Sequence, residues 1–290
     1  MMLSVVIPIG NLGRDIDNLK SIVSAAPKRD VELVLILDTA EKLAFIQLNE
    51  LCKIKGLSHY KILECADRNP GSSRNIGMNA AEGEWIIFCD SDDMPIFPNL
   101  LNTISLSNDG SDIVIGSFFN EDNFGIRTSQ RLIENDPSIN WHLISLNPGV
   151  WRWLMRKNLL ENVTFPELSM GEDQFFLIKL LSTPSRIKFA SEFFYVYRTN
   201  TRESLTRNKS KISDLSRVIE LEISYIRTIK FRNSMVNNMI FRQIVTLFKY
   251  GNIRLSILTV FLCMKFFLLL SLNEIFSIMK FAFRLIKDHN

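Results

Sequence analysis

The sequence predicts an α/β fold, a mostly parallel sheet with flanking helices, followed by a C-terminal α-helical region. The chain has 290 residues and is 47% hydrophobic, which is enough to build a sizeable core. Short apolar runs alternate with helix-compatible segments over the first 118 residues, as in a sheet with crossover helices. From about Leu205 a helical periodicity continues to the end, with a break near Gly251. We therefore expect a sheet domain over residues 1–205 and a helical region over 206–290.

The predicted strands are five short apolar runs whose β-branched residues are nearly continuous rather than alternating. Such runs are typical of strands that are covered on both faces. Helix-compatible segments separate them, and this alternation indicates parallel strands joined by crossover helices. The strands are expected at 3–9, 31–38, 60–65, 84–90 and 111–118, and the helices at 15–26, 40–55, 72–82 and 97–107.

Polar residues follow three of these strands at the point where each strand ends. Pro8, Gly10 and Asn11 lie at the end of the first strand, Asp38 ends the second, and the segment 90–93 follows the fourth. In open α/β sheets, ligands bind outside the carboxyl ends of the strands. The sequence therefore predicts a binding site at this edge of the sheet.

Three carboxylates fall within four positions in the stretch DSDD, which begins at Asp90. Like charges this close raise one another's pKa values unless something neutralises them. Mg²⁺ or Mn²⁺ fits this role, because such ions prefer carboxylate oxygens together with substrate phosphates. The spacing of Asp90 and Asp92 places both on the same side of an extended chain end. The stretch therefore predicts a metal and phosphate site, and a solvated turn is the alternative.

Four segments in order, 4–11, 71–93, 171–176 and 197–206, resemble a family 2 glycosyltransferase of the GT-A fold, of the bacterial surface-polysaccharide type. The resemblance covers about the first 206 residues. It implies an inverting, metal-dependent transfer of a sugar from a nucleotide-sugar, with a UDP-sugar expected, to a hydroxyl of a glycan acceptor. The sheet domain would then be the nucleotide-sugar glycosyltransferase domain.

The resemblance also implies roles for individual residues. Asp92 and Asp90 would bind Mn²⁺ or Mg²⁺, and Asn200 stands where many relatives carry a third, histidine ligand. The sequence departs from the family after the second strand, where a single carboxylate, Asp38, replaces the usual acidic pair. The residues expected to bind the nucleotide-sugar are Pro8, Ile9, Asn11, Asp38, Arg74, Asn75, Asp90, Ser91, Arg198 and Arg202.

Transfer to a hydroxyl requires a general base on the face opposite the leaving phosphate. By resemblance that base is Asp173, and Glu172 would orient it or reach the acceptor. Carboxylates in the first turn of a helix are also favoured by the helix dipole, which is the alternative interpretation of this pair. Direct attack with such a base inverts the anomeric configuration. Trp151 and Trp153 are candidates to stack on an acceptor sugar, one of them in the core and the other in the cleft.

The C-terminal region is basic and apolar. From residue 200 onward there are 15 Lys and Arg against 6 Asp and Glu, a net charge of +9, which leaves −6 for residues 1–199 because the chain carries +3. Residues 255–272 contain 14 apolar residues in 18, with Lys265 among them. The last helix, 273–288, is amphipathic, with Ile275, Ile278, Met279, Ala282 and Ile286 on one face. These patterns favour helices that lie on an anionic membrane surface. A span through 253–272, packing on the sheet and a homodimer interface are the alternatives.

The expected location is cytoplasmic, peripheral on the inner face of the cell membrane. The N-terminus has no basic region, and the apolar run 3–9 is too short for a signal peptide. The four cysteines are scattered and the three histidines lack metal-ligand spacing, which argues for a reducing compartment and against a zinc site. Helices that lie on a membrane, next to a glycosyltransferase domain, suggest a lipid-linked acceptor in O-antigen, capsule or lipopolysaccharide synthesis. We expect no nucleic-acid partner.

Two other function classes stay open at this stage. A sugar-phosphate nucleotidylyltransferase shares the sheet, but it needs a glycine-rich loop that residues 10–15 match only in part. An inactive carbohydrate- or membrane-binding module is the other class, and the intact acidic residues argue against it. Patterns typical of ATPases, zinc metalloproteases and dinucleotide-binding enzymes are absent from the sequence.

Overall fold

The computed structural model describes residues 2–38, 42–65, 67, 69–107, 109–134, 136–199, 212–231 and 233–287. The first half of the sheet domain follows the predicted alternation of strand and helix. Asn11 caps the first helix by accepting the Arg14 N–H, so this helix begins three residues earlier than the sequence predicts. The elements are β1 Leu3–Ile9, α1 Leu12–Ala25, β2 Val31–Leu37, α2 Lys42–Ile54, β3 Tyr60–Glu64, α3 Pro70–Ala80 and β4 Trp85–Phe88.

The second half of the domain contains more strands than the sequence predicts. Its elements are β5 Met94–Pro95, α4 Phe97–Leu106, β6 Ile113–Glu121, β7 Arg127–Gln130, α5 Pro137–Leu146, β8 Trp153–Arg156, α6 Glu172–Ser182 and β9 Ile187–Arg198. The C-terminal region, as predicted, is helical in the part that the structure describes. Its elements are α7 Ile212–Ile229, α8 Ser234–Tyr250, α9 Ile253–Phe267 and α10 Leu272–Lys287.

The strands form one sheet in the order β3-β2-β1-β4-β8-β6-β9-β5, with β7 paired to β6. The four strands β3, β2, β1 and β4 are parallel, as predicted. The α/β fold class is confirmed, but the sheet is mixed beyond β4, because β8 lies antiparallel between β4 and β6. The short strand β8 supplies the backbone partners that the open edge of β4 requires.

Both faces of the central strands are buried, which explains their continuous apolar sequences. On β1, Val6 points into one core and Val5 and Ile7 point into the other. The first core lies under α3, α6 and the C-terminal helices, and the second lies under α1, α2 and α4. Helix α3 approaches the sheet at Gly77, where a Cβ would lie 2.4 Å from Val6 Cγ1. Only glycine allows this close packing.

The C-terminal helices share the first core with the sheet. Buried residues of α7 and α8, such as Ile219 and Met239, belong to the same apolar cluster as Val6 and Phe88. Helices α9 and α10 pack on α8. The predicted domain boundary at 205/206 lies outside the described residues. None of the described helices is both long and apolar enough to cross a bilayer.

The apolar residues of α10 face in two directions, not one. Ile278, from the predicted apolar face, is buried against the rest of the protein together with Phe281. Met279, assigned to the same face, is 58% exposed, and the side chains of Phe276 and Phe283 are 61% and 72% exposed. The single predicted face is therefore incomplete. One apolar stripe packs on the protein, and a second one is exposed.

Candidate active site

The carboxyl ends of β1, β2 and β4 meet at one edge of the sheet, as the sequence predicts. The Asp38 N–H donates to the Ile9 carbonyl at 3.0 Å, which fixes Asp38 beside the end of β1. Pro8 is half-buried in β1, whereas the Ile9 side chain lies wholly in the core. Asn11 contributes its side-chain oxygen to the cap of α1. The acidic loop 90–93 follows β4 directly.

The three carboxylates of this loop differ in environment. Asp93 is 1% exposed and accepts the backbone N–H of Arg198 at 2.7 Å, so it holds the end of β9. Burial, with the charges of Asp90 and Asp92, raises the Asp93 pKa well above its ordinary value. Asp92 is half-buried, and burial followed by the negative charges of Asp90 and Asp15 raises its pKa. Repulsion within the loop is therefore only partly compensated by its protein neighbours.

Side chains of helix α1 hydrogen-bond to this loop. The Ser91 hydroxyl donates to Asp15 at 2.6 Å, and Asn18 Nδ2 donates to the carbonyls of Ser91 and Asp93 at 2.8 and 2.7 Å. Ser91 is buried, so the structure gives its hydroxyl a structural role and not the expected nucleotide contact. Asp15 and Asn18 were not predicted as part of the site. One sequence feature could have indicated them. They are polar residues three positions apart on the helix that follows the first strand, near the edge of the sheet where the binding site was predicted.

Two residues of β9 complete the support of the loop. The Tyr195 hydroxyl, which is buried, accepts the Asp90 N–H at 2.9 Å. The Arg198 guanidinium donates to Glu121 at 3.1 Å, to the Asp92 carbonyl at 3.3 Å and to Asn18 Oδ1. Arg198, expected to contact the nucleotide-sugar, thus stabilises the loop that would bind it. Tyr195 was not predicted.

Arg74 joins the acidic loop to the candidate base. Its Nη2 lies 2.8 Å from Asp90 Oδ1, and its Nη1 lies 2.7 Å from Glu172 Oε1. Arg74 is only 6% exposed, so its charge depends on these two carboxylates for compensation. They keep the pKa of Arg74 above its ordinary value despite burial. Arg74 was expected to bind the nucleotide-sugar, and in the structure its guanidinium contacts these two carboxylates.

Glu172 and Asp173 begin helix α6. The preceding residue, Gly171, has φ +80°, a conformation that strongly favours glycine. Burial, and next the charge of Asp173, raises the pKa of Glu172 to about 7, although Arg74 opposes the rise. Burial also raises the pKa of Asp173, which is half-buried and accepts the Gln174 N–H at 2.8 Å. Carboxylates with raised pKa values suit general-base catalysis near neutral pH.

Asn75 and the two tryptophans have structural positions. The Asn75 carboxamide makes two hydrogen bonds to the backbone of Phe165, of 3.0 and 2.9 Å, instead of facing a nucleotide. These bonds hold the Phe165 ring, whose centroid lies 5.6 Å from the Arg74 guanidinium carbon. Trp153 is completely buried and Trp151 is 5% exposed. The expectation that one indole stacks on an acceptor sugar is therefore wrong.

Both tryptophans are buried because of their positions in and beside the sheet. Trp153 begins β8, which lies between two other strands, and its side chain enters the first core. Trp151 stacks on Tyr195 at 4.7 Å and on Tyr197 at 5.4 Å, both of them on β9. The predicted metal ligand Asn200 and the predicted nucleotide contact Arg202 lie outside the described residues.

The residues present fit a divalent cation in part. No group of three or more His, Cys, Asp and Glu within the described ranges forms a ready metal site. Asp90 and Asp92 remain as candidate ligands, since Asp93 is 1% exposed and accepts the Arg198 backbone N–H. Two carboxylates are sufficient for Mg²⁺ or Mn²⁺ when substrate phosphates and water complete the coordination. The raised pKa of Asp92 is consistent with a place for positive charge.

Replacing Arg74 by Met should destabilise the protein by about 3 kcal/mol, because it leaves the nearly buried Glu172 without its partner. The Glu172 pKa of about 7 lies above the ordinary 4.5, so the contribution of Glu172 to stability falls as pH rises between these values. Without Arg74 that pKa rises further. The loss measured by urea unfolding should therefore be larger at pH 8 than at pH 5.

Two variants control this experiment. Arg127→Met removes a half-exposed guanidinium from Glu121, which keeps its second ion pair with Arg198, and should cost less than about 1 kcal/mol at either pH. The double variant Arg74→Met/Glu172→Gln should recover part of the loss. Equal destabilisation by Arg74→Met and Arg127→Met would contradict the assignment of Arg74 as the buried link.

Solved structures of other proteins share this fold. The structure of Staphylococcus aureus TarS residues 1–349 with UDP-GlcNAc aligns with a TM-score of 0.69 at 18% identity, over 94% of this chain and 83% of that one. A mannosyltransferase from Pyrobaculum calidifontis with GDP-Man and Mn²⁺ aligns with a TM-score of 0.55 at 12% identity, over 97% and 84%. The GT-A fold expected from the sequence is therefore confirmed.

Sequence relatives are bacterial glycosyltransferases. Glycosyltransferase GlyG of Streptococcus pneumoniae is 23% identical over 76% of this chain and 78% of its own length. The Campylobacter jejuni GalNAc(5)-diNAcBac-PP-undecaprenol beta-1,3-glucosyltransferase is 23% identical over 76% and 75%. The Staphylococcus aureus poly(ribitol-phosphate) beta-N-acetylglucosaminyltransferase TarS is 27% identical over 77% of this chain, but the match spans only 40% of its length.

The model of glycosyl transferase family 2 matches residues 4–179, which is more than half of the chain. This range contains the acidic loop, Arg74 and the pair at the start of α6. The chain therefore belongs to glycosyl transferase family 2 and is a glycosyltransferase.

Proposed function

We propose that the protein is an inverting, metal-dependent glycosyltransferase that uses a UDP-sugar and a glycan hydroxyl. The observation that carries this proposal is the Arg74 link between the acidic loop and the pair Glu172–Asp173. The loop is suited to a cation with a diphosphate, and the pair is suited to accept a proton. The buried guanidinium of Arg74 holds the loop and the pair next to each other.

In this proposal Asp173 takes the proton of the acceptor hydroxyl. The acceptor oxygen forms a bond to the anomeric carbon while the bond from that carbon to the diphosphate oxygen breaks, and UDP leaves. One attack from the face opposite the leaving group inverts the anomeric configuration. Glu172, bonded to Arg74, positions the first turn of α6. Asp38, beside the end of β1, would accept the uracil ring N–H.

Asp90 and Asp92 would hold Mn²⁺ or Mg²⁺ when the donor binds. The ion would supply positive charge for the leaving diphosphate. Burial and neighbouring carboxylates disfavour the ionised form of Asp92, so a cation beside it relieves repulsion. The related mannosyltransferase structure contains Mn²⁺, which supports the same choice here.

The proposed acceptor is a lipid-linked glycan used for the bacterial cell surface. The Campylobacter relative is named for an undecaprenol-linked glycan, and the TarS relative is named for poly(ribitol-phosphate). The C-terminal helices of this chain carry a surface that suits a peripheral position on the inner face of the membrane. We propose that the protein occupies this position.

This surface consists of two apolar stripes with the same helical spacing, at i, i+4, i+7 and i+11. Each of their eight side chains is at least 58% exposed. Basic residues accompany them, among them Lys265 and Lys280. Apolar helix faces with flanking lysines are typical of interfacial binding to anionic bilayers. The stripes are Ile257, Phe261, Met264 and Leu268 at α9, and Leu272, Phe276, Met279 and Phe283 on α10.

UDP with Mn²⁺ should raise the unfolding temperature of the protein more than UDP alone. At 100 times its dissociation constant, a ligand stabilises by about 2.7 kcal/mol. Asp92→Asn should lose the Mn²⁺-dependent part, because it removes a carboxylate from the cation site. Asp17→Asn, an exposed carboxylate on α1, is the matched control and should behave as wild type. An unchanged Mn²⁺ effect in Asp92→Asn would contradict the metal assignment. Stabilisation by GDP, CMP or ADP in place of UDP would assign the donor to that nucleotide.

The double variant Phe261→Ser/Phe276→Ser should bind vesicles with 30 mol% phosphatidylglycerol at least about tenfold more weakly than wild type, because two exposed phenylalanines no longer enter the interface. Sedimentation with vesicles measures this. Phe124→Ser is the matched control, since Phe124 is 89% exposed but lies far from the helices in sequence. Equal loss in the control would oppose the proposal. A wild-type dimer in analytical ultracentrifugation that the double variant abolishes would assign the stripes to a homodimer.

A further inference from the structure

A cleft of about 540 Å³, lined by polar side chains and by Ile278, lies between the first turns of α8 and α10. A smaller cavity adjoins it toward α5, and the two share Ser234, Asn238 and Ser277. Neither cavity includes a residue of the acidic loop or of the first turn of α6. The cleft is therefore separate from the candidate active site. A volume of this size is typical of small-molecule sites.

Asn238 is the clearest sign that the cleft is built to bind something. It is 7% exposed, and its side-chain oxygen is buried with no hydrogen-bond partner among the described residues. Buried amide oxygens are nearly always bonded, because leaving one unpaired is unfavourable. Asn238 lines both cavities, so this oxygen lies beside the cleft, and a shift of the carboxamide would bring it to a donor there.

The neighbouring side chains are also fixed. Asn237, 3% exposed, donates to Glu274 Oε1 at 3.0 Å. The Glu274 carboxylate also accepts the N–H and the hydroxyl of Ser271, both at 2.8 Å. These bonds fix the amide and carboxylate side chains that line the cleft before any ligand binds. Preorganised polar groups reduce the entropic cost of binding.

The chemistry of the lining favours a neutral, polyhydroxylated ligand. Hydroxyl and carboxamide groups both donate and accept hydrogen bonds, as sugar hydroxyls require. The half-buried Trp141 lines the adjoining cavity and supplies an aromatic surface, and Ile278 supplies an apolar one. Aromatic and apolar surface with a few oriented polar groups is the usual composition of a specific ligand site.

The same lining disfavours an anion. The N-terminus of α8 is capped, because Asn233 Oδ1 accepts the N–H groups of Met235 and Val236 at 2.9 and 3.4 Å. A capped helix end has fewer free donors for a phosphate. Glu274 lines the larger cavity and would repel a negative ligand, while Lys280 lines the smaller one. The cleft therefore has little net charge.

We infer that this cleft binds a neutral saccharide unit of the glycan acceptor, away from the reacting end. The assignment of the saccharide to the acceptor rests on the proposed function, whereas binding itself does not. The buried indoles of Trp151 and Trp153 leave this part of recognition to other residues. Ser277 lines the cleft, and the adjacent Phe276 belongs to the exposed stripe of α10. A glycan that leaves a membrane surface at this stripe would pass the cleft.

Saturation-transfer-difference NMR on the full chain tests the inference, with the methyl β-glycosides of N-acetylglucosamine and of glucose as probes. Ser277→Trp fills the cleft and should reduce the saccharide signal at least fivefold. Met279→Trp, two residues away on the exposed stripe, is the matched control and should keep the signal. Ser234→Leu, at the exposed first position of α8, is a milder second blocking variant in case Ser277→Trp does not fold.

The remaining outcomes separate this site from the donor site. Asp92→Asn should keep the saccharide signal, and Ser277→Trp should keep the stabilisation by UDP with Mn²⁺. Loss of the signal in Asp92→Asn would place the saccharide in the donor site and overturn the inference. The inference would also be overturned if the wild type gave no signal with either glycoside, or if both blocking variants kept the wild-type signal. Displacement of the glycoside by inorganic phosphate would overturn it as well.

Discussion

The contact on which the candidate site depends is the pair of hydrogen-bonded ion pairs made by Arg74. One cation, 6% exposed, lies between Asp90 of the acidic loop and Glu172 of α6. Placing a charge there is unfavourable unless both carboxylates are present, and the carboxylates in turn need the cation. The donor loop and the candidate base are thus held together by electrostatic compensation. The surrounding contacts, from Asn75 and Phe165 to Tyr195, fix the two ends of this link.

Much of the central sheet could be predicted from the sequence, because its signals are local. Continuous apolar runs mark strands covered on both faces, and the polar residues that end them mark the ligand edge. The strands β8 and β9 were not predicted, since their pairing with β6 joins distant segments of the chain. Family membership now favours glycosyl transfer over the nucleotidylyltransferase and the inactive module. It agrees with the fold expected from the four sequence segments.

The candidate site was predictable only in part. Asp90, Arg74 and Glu172 were each expected at the site, but the ion pairs that join them were not predicted. Ser91 and Arg198 support the acidic loop, and Asn75 holds the backbone of Phe165. Their residue types suit either role, and only tertiary contacts decide between them. Asp15, Asn18 and Tyr195 were missed for the same reason. The tryptophans illustrate it further, because Trp151 is buried by tyrosines of a strand that follows much later in the sequence.

The most direct measurement compares UDP binding and UDP release in wild type and Asp173→Asn. Calorimetry gives the dissociation constant for UDP with Mn²⁺, and a coupled assay gives the rate of UDP release from UDP-sugars. Asp173→Asn removes the proposed base but keeps the shape of the site, so the dissociation constant should stay within about threefold while the rate falls at least about a hundredfold. A variant that binds UDP and keeps the wild-type rate would contradict the account.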